Sequence, residues 1–573
     1  MKGVCEFIIS KIDSRVCTYS NFDIECIQTD NGFEFTKKFN KNYTKSAHTM
    51  FEKKLYYLEI RLKKSDHSFQ GTTARWNNLT TKTTNTSMSP SLLFIFGFLT
   101  QPKIHNRKYN TFPMRSLSWK QPCGFIPVCS RLKESPITVT IMKTMYILDG
   151  FKRFNYILIP EGIVIGLLSG LVVSLFRFMV ESAEHLHTAA FESGHTVVLL
   201  LFLIGAYAVV CLCLKIDINC SGSGIPRVKG ELEGRLQTKW YKALATMLAG
   251  SACSIGSGMS MGQVGPSVQL GAMAAKGFSR LSKIPEKYEK LFLTAGSGAG
   301  FSAVLNAPLA GLAFSAEEMN RQFSSEMLIT TLTACLASDF VTSCIFGFEP
   351  LFAVSPEEAL PADSWIFIIG FGIMTGILGA VYNRSIKALQ ACFKHIKSTL
   401  IRIAVPAAAA AVLLFICPDA AGGGNTLICD FMSTHWAVRS LLTLLVIRYI
   451  FTVICFSSGA PGGLIGPLLV IGAVTGALFA AIIGYGEYIS NFILLGMAGY
   501  FTAVIRTPFT AVILMSETAG SLIHVPSISA VCLISYLTAG FLKTRPIFSQ
   551  LLDNILKTDD SGKEDNAGKA GKE

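Results

Sequence analysis

From residue 156 onward the chain alternates between long apolar runs and short polar breaks. Runs near 156–180, 195–214, 241–260, 291–315, 327–346, 365–383, 401–417, 438–456, 464–486, 491–515 and 526–542 predict helices. A straight span needs about 20 apolar residues, and several of these runs are shorter or broken by Gly and Pro. In lipid, irregular backbone is tolerated only where protein packs around it. The pattern therefore predicts a polytopic, all-α membrane protein with broken helices meeting inside it. The stretch GQVGPSVQLG at 262–271 is the sharpest interruption, and Val264 stands in the middle of its turn.

Composition sharpens this picture. Charged residues make up 16% of the chain and mean hydropathy is +0.44, whereas soluble domains carry about 25% charge. The net charge is +13, and nearly all of that surplus lies before residue 145. The sixteen Cys are scattered with no CxxC pair, which predicts small core residues rather than ligands or disulfides. MKGVCEFIIS is too short an apolar run for a secretory signal.

The first 122 residues are unlike the rest: polar, basic and rich in Asn, Thr and Ser. IECIQTDNGFEF (24–35) reads as a β-like run ending in an acidic turn. With FEKKLYYLEIRLKK (51–64) and HNRKYNTFPMRSLSWKQP (105–122), it resembles pieces of an integrase-core transposase. That resemblance would make Asp30 one of three carboxylates around two metal ions. The strand for the first carboxylate is missing, and the sequence after 64 does not supply the last Glu. The expectation is a degenerate, non-functional fragment over 1–122 and a linker over 123–154. Met142 or Met145 would then lie close to an ancestral start. The tail over 556–573 is low-complexity, charged and expected to be disordered.

The membrane part repeats itself. GSGIP (222–226) is answered by GGGNT (422–426), 200 residues on; GQVGP (262–266) by GLIGP (463–467), 201 on; NAPLAG (306–311) by RTPFTA (506–511), 200 on. Glu317 and Glu517 each lie nine residues after their Pro. Four ordered matches at one spacing indicate duplicated halves, and matching interrupted helices place a transport site at the repeat interface. A helix that starts in mid-membrane aims unpaired N–H groups and partial positive charge at the cavity. That suits an anion, and Gly lets backbone amides approach it. The competing reading of any single motif is small-residue helix packing.

These residues resemble the CLC family of chloride channels and proton/chloride exchangers over about 155–555. GSGIP (222–226), GxxGP (262–266) and GAPGGLIGPLL (459–469) match its anion-site motifs in order, and NAPLAGLAFSAEE (306–318) and IRTPFTAVILMSE (505–517) match two more. The resemblance implies an inverted-repeat fold, an anion pathway in each subunit of a homodimer, and both chain ends in the cytoplasm. It makes Ser223 a hydroxyl donor to the central anion, alongside backbone amides at Leu464 and Ile465. A helix N-cap is the other role open to Ser223. Gly222, Gly224, Ile225, Pro226, Gly265 and Pro266 would shape the backbone.

Two positions depart from the family pattern. The turn usually reads GREGP, and its glutamate competes with chloride and carries protons; here Val264 holds that gate position and cannot ionise. A site tyrosine is replaced by Phe548 in TRPIFSQLL (544–552), whose ring donates no hydrogen bond. Glu318 matches the internal proton glutamate, though Glu317 and Glu318 would equally cap helices or pair with Arg321. Arg227, Lys229 and Arg235 flank GSGIP, where they would either focus anions or reflect positive-inside bias.

The expectation is a multi-pass protein of the cell (inner) membrane that passes chloride and similar anions passively, with no cofactor, metal, nucleic-acid partner or enzymatic activity. A chloride/proton antiporter using another acidic relay is the alternative. Two further readings are a DNA transposase, on residues 1–122, and a non-functional product scarred by insertion.

Overall fold

The computed structural model describes residues 26–29, 61–64 and 136–557, apart from a few loop positions, with side chains described from Leu158 onward. The chain divides into two units, Met1–Pro127 and Val128–Glu573. In the first, β1 (Cys26–Thr29) and β2 (Arg61–Lys64) pair in parallel, with Cys26 opposite Arg61. β1 falls within the β-like run expected over 24–35. Asp30 and the segment 105–122 lie outside the described residues, as does the tail beyond 557.

Among its described residues, the named elements of the second unit are all helical. Its first half contains α1 (Pro136–Glu192), α2 (Thr196–Ile216), the short α3 (Ile225–Leu232), α4 (Trp240–Gly256), α5 (Val264–Leu281), α6 (Glu286–Leu305), α7 (Pro308–Phe314) with a π-turn over Ser315–Asn320, and α8 (Ser325–Phe346). The second half repeats the series: α9 (Trp365–Lys394), α10 (Thr399–Ile416), the short α11 (Asn425–Ser433), α12 (Val438–Ser457), α13 (Ile465–Ile483), α14 (Ile489–Ile505), α15 (Pro508–Ala519) and α16 (Val525–Phe541). A last helix, α17, spans 547–557. The stretch 123–154, expected as a linker, is helical from Pro136 onward.

Among the described residues, eight helices are long and apolar enough to cross a membrane. The expected single runs over 291–315 and 491–515 are each two helices. Asn306 and Arg506, 200 residues apart, adopt the left-handed conformation that ends α6 and α14. The following Ala307 and Thr507 leave the helical region, as residues before proline do, and Pro308 and Pro508 open the next helices.

The two halves pack by the same device. α5 crosses α6 and α13 crosses α14 so closely that a Cβ on Gly271 would stand 2.2 Å from the Gly296 carbonyl oxygen, and one on Gly472 would stand 2.6 Å from that of Gly496. Small residues give backbones this proximity where no hydrophobic force drives helices together. α13 and α14 are largely buried, while α2 and α10 expose much of their apolar surface, the arrangement of an inner core and a lipid-facing rim.

Candidate anion site

The site forms where three helix starts converge. α3 begins after Gly224, α5 after Gln263 and α13 after Leu464, and none of these N-caps makes a side-chain capping bond. The first N–H groups of each helix thus lack intrahelical partners. Gly224 and its repeat partner Gly424 both sit at positive φ, 78° and 79°, a conformation that favours glycine.

Backbone pairing locks the turns together. Gly262 and Gly463 exchange both N–H···O=C bonds, at 2.8 and 2.7 Å, as an antiparallel bridge between the halves. Gly462 N–H donates to the Gly222 carbonyl at 3.1 Å. A Cβ on Gly265 would lie 2.4 Å from Ser223 Oγ and 2.9 Å from Gly463 Cα, and one on Gly463 would lie 2.7 Å from Gly265 N. Gly265 therefore stands against both Ser223 and Gly463, so that one residue from each motif meets at this point.

Ser223 is 2% exposed, and its hydroxyl has no hydrogen-bond partner. It does not cap α3, whose N-cap is Gly224. A buried, unpaired hydroxyl is costly unless something else accepts from it. Val264, Leu464 and Ile465 are buried at the same junction. Phe548 is buried in the core; its helix reaches the site's edge through Leu551, Asn554 and Ile555.

The first of two mouths opens at this junction, and the second shares lining residues with a small chamber beside it. The first is lined by Ser223, Gly224, Arg227, Lys394, Arg402 and Ser457 among others, and carries no acidic side chain. The second is lined by Glu181, Glu184, His185, Asp419, Gly422 and Arg448 among others. Arg402 near the start of α10 lines one mouth and Leu414 near its end lines the other. Twelve residues of helix separate them by about 18 Å, so the mouths open at opposite ends of that helix. A small chamber lined by Gly262, Gln263, Val264, Gly466 and Phe352 lies beside the turn and shares Glu184 and Gly423 with the second mouth.

The sequence-predicted charges divide. Lys229 is buried and ion-pairs with Glu318, itself 2% exposed, and also donates to Ser549 Oγ at 3.1 Å. Arg235 pairs with Glu233 at 3.3 Å on the surface. Of the three basic residues flanking GSGIP, only Arg227 lines the mouth, held by Asn219 Oδ1 at 2.5 Å and the Ile218 carbonyl at 3.1 Å. Lys394 and Arg402, from the other half, were not foreseen; both lie roughly 170 to 180 residues beyond the GSGIP motif whose mouth they line.

Glu317 and Glu517 are reciprocal caps. Glu317 accepts from the Phe509 and Thr510 N–H groups at 3.2 and 2.7 Å, and Glu517 from those of Leu309 and Ala310 at 2.9 and 2.7 Å. The starts of α7 and α15 are thereby closed by carboxylates, while the starts of α3, α5 and α13 carry no such cap.

The voltage-gated chloride channel (CLC) family profile matches residues 205–540, more than half of the chain. The chain belongs to the CLC family. It is 30% identical over 419 residues to the H(+)/Cl(-) exchange transporter ClcA of Salmonella paratyphi B and of Salmonella newport, covering 70% of this chain and 88% of each relative. Among solved structures it is similar to a slow cyanobacterial Cl-/H+ antiporter, with TM-score 0.67, 24% identity, and coverage of 70% of this chain and 99% of that one. It is also similar to a CLC-type fluoride/proton antiporter, with TM-score 0.59, 23% identity, and coverage of 71% and 96%. At that identity the likeness is one of fold. As a CLC protein, this chain is an integral, multi-pass membrane protein of anion transport.

Proposed function

We propose that this CLC protein conducts chloride passively, uncoupled from protons, with Ser223 and the open helix starts at Val264 and Ile465 replacing the ion's hydration. The observation that carries the reading is Val264: an aliphatic side chain, 1% exposed, stands at the turn between the two mouths. It neither ionises nor occupies an anion site as a carboxylate would. Glu318, the remaining candidate proton carrier, is engaged by Lys229. The mouth lined by Arg227, Lys394 and Arg402 would face the cytoplasm and concentrate anions there by electrostatic focusing. Two copies would assemble as a homodimer with a pathway in each.

Coupled chloride/proton exchange is the second reading, and the names of the Salmonella relatives favour it. The family match lies wholly outside residues 1–122, so it lends the transposase reading of that segment no support.

Chloride efflux from liposomes holding the purified protein, with external pH recorded, separates the readings. The expected result is rapid chloride loss under a valinomycin-clamped potential without stoichiometric proton movement, slowed severalfold by Val264→Glu. Uphill proton transport driven by a chloride gradient would overturn the proposal.

A further inference from the structure

Glu184 occupies a particular place in the pathway. Of the side chains lining the second mouth, it is the titratable one that also lines the chamber beside Val264. The chamber's other polar side chain is Gln263, which is 6% exposed and whose Oε1 has no hydrogen-bond partner. The chamber thus holds an unsatisfied amide beside the anion turn, with a carboxyl group at its entrance. Among the described residues no ion pair includes Glu184. Glu181, one helical turn earlier, is paired with Arg177 at 3.7 Å.

We infer that Glu184 is a titratable outer gate: ionised, it opposes anion passage between the second mouth and the Val264 chamber, and protonated from the solution on that side, it permits passage. The inference rests on the proposed anion pathway past Val264. Its physical basis is proximity in a confined space. A negative charge at the neck of a chamber poorly accessible to water repels an anion more strongly than the same charge in open solution. Protonation adds one proton to one carboxylate and needs no other reactant.

Other charged groups face the same mouth and would shape the response. His185 and His187 lie on α1 with Glu184 and Glu181, Asp419 lies on the turn before α11, Asp430 on α11, and Arg448 on α12. Arg448 is fully buried and donates to the Gly422 and Ala421 carbonyls at 2.8 and 3.2 Å, so its charge is fixed in place. Of these groups, none but Glu184 lines the inner chamber.

The test is chloride efflux from liposomes holding the full chain, measured between about pH 8 and pH 4, a range that covers carboxylate titration. The wild type is expected to conduct severalfold faster at the acid end. Glu184→Gln should be fast and flat across the range, and Glu286→Gln, an exposed carboxylate that lines neither mouth nor the chamber, should keep the wild-type slope. Glu184→Ala gives the same reading if the Gln variant does not elute as folded protein. A wild-type slope retained in both Glu184 variants would overturn the gate while leaving passive conduction standing. Efflux from Glu184→Gln with none from the wild type would support a gate that stays shut. No efflux from either would overturn both readings.

Discussion

Gly265 has no room for a side chain, whereas its repeat partner Gly466 nearly does. A Cβ on Gly265 would strike Ser223 Oγ at 2.4 Å and Gly463 Cα at 2.9 Å; one on Gly466 would meet only Gly262 Cα, at 3.1 Å. Gly265→Ala should therefore push Ser223 away from the α5 start, destabilise the protein by about 1–3 kcal/mol as overpacking does, and cut chloride efflux at least tenfold. Gly466→Ala should do markedly less on both counts. Thermal unfolding in detergent and liposome efflux measure the two effects, and equal losses in both variants would contradict this account. The sequence marked both glycines through the G-x-x-G-P repeat but did not rank them. Their difference comes from Ser223, which has no hydroxyl counterpart at Gly423 in the second half.

At the scale of elements, the spacing of 200 residues foretold the duplication and the positions of most helix breaks. It did not foretell what crosses between halves. Glu317 and Glu517 were visible as repeat partners, yet each caps a helix in the opposite half, a contact between residues about two hundred positions apart. Lys229 likewise read as one of three similar basic residues, and only packing reveals it as the buried partner of Glu318. Local pattern sets where a helix begins, and the tertiary fold sets who satisfies it. Removing either cap leaves two N–H groups without their acceptor. Glu317→Ala and Glu517→Ala should each cost about 0.5–2 kcal/mol, the range for lost N-caps. The caps share no partner, so the double variant should lose close to the sum. Unfolding in detergent would show this, and a double variant as stable as the wild type would refute the capping role.

At the scale of the whole molecule, everything assigned to anion passage lies in one unit. The family match begins at residue 205, among the described residues the earliest lining either mouth or the inner chamber is Glu181, and the second unit begins at Val128. Most of the basic charge surplus falls in the unit before it. The electropositive mouth draws on Arg227, Lys394 and Arg402 instead. A chain starting at Val128 keeps α1 whole and every residue of the proposed pathway. It should insert in the membrane and release chloride from liposomes at the wild-type rate per molecule, with the same response to Val264→Glu. Starting instead at Met142 or Met145 would cut into α1, which runs from Pro136. If that first turn supports the fold, the shorter chains should unfold at lower temperature while the Val128 chain does not. Loss of transport in the Val128 chain would show that the polar, basic segment works in the transporter, and its reading as an unrelated fragment would fall.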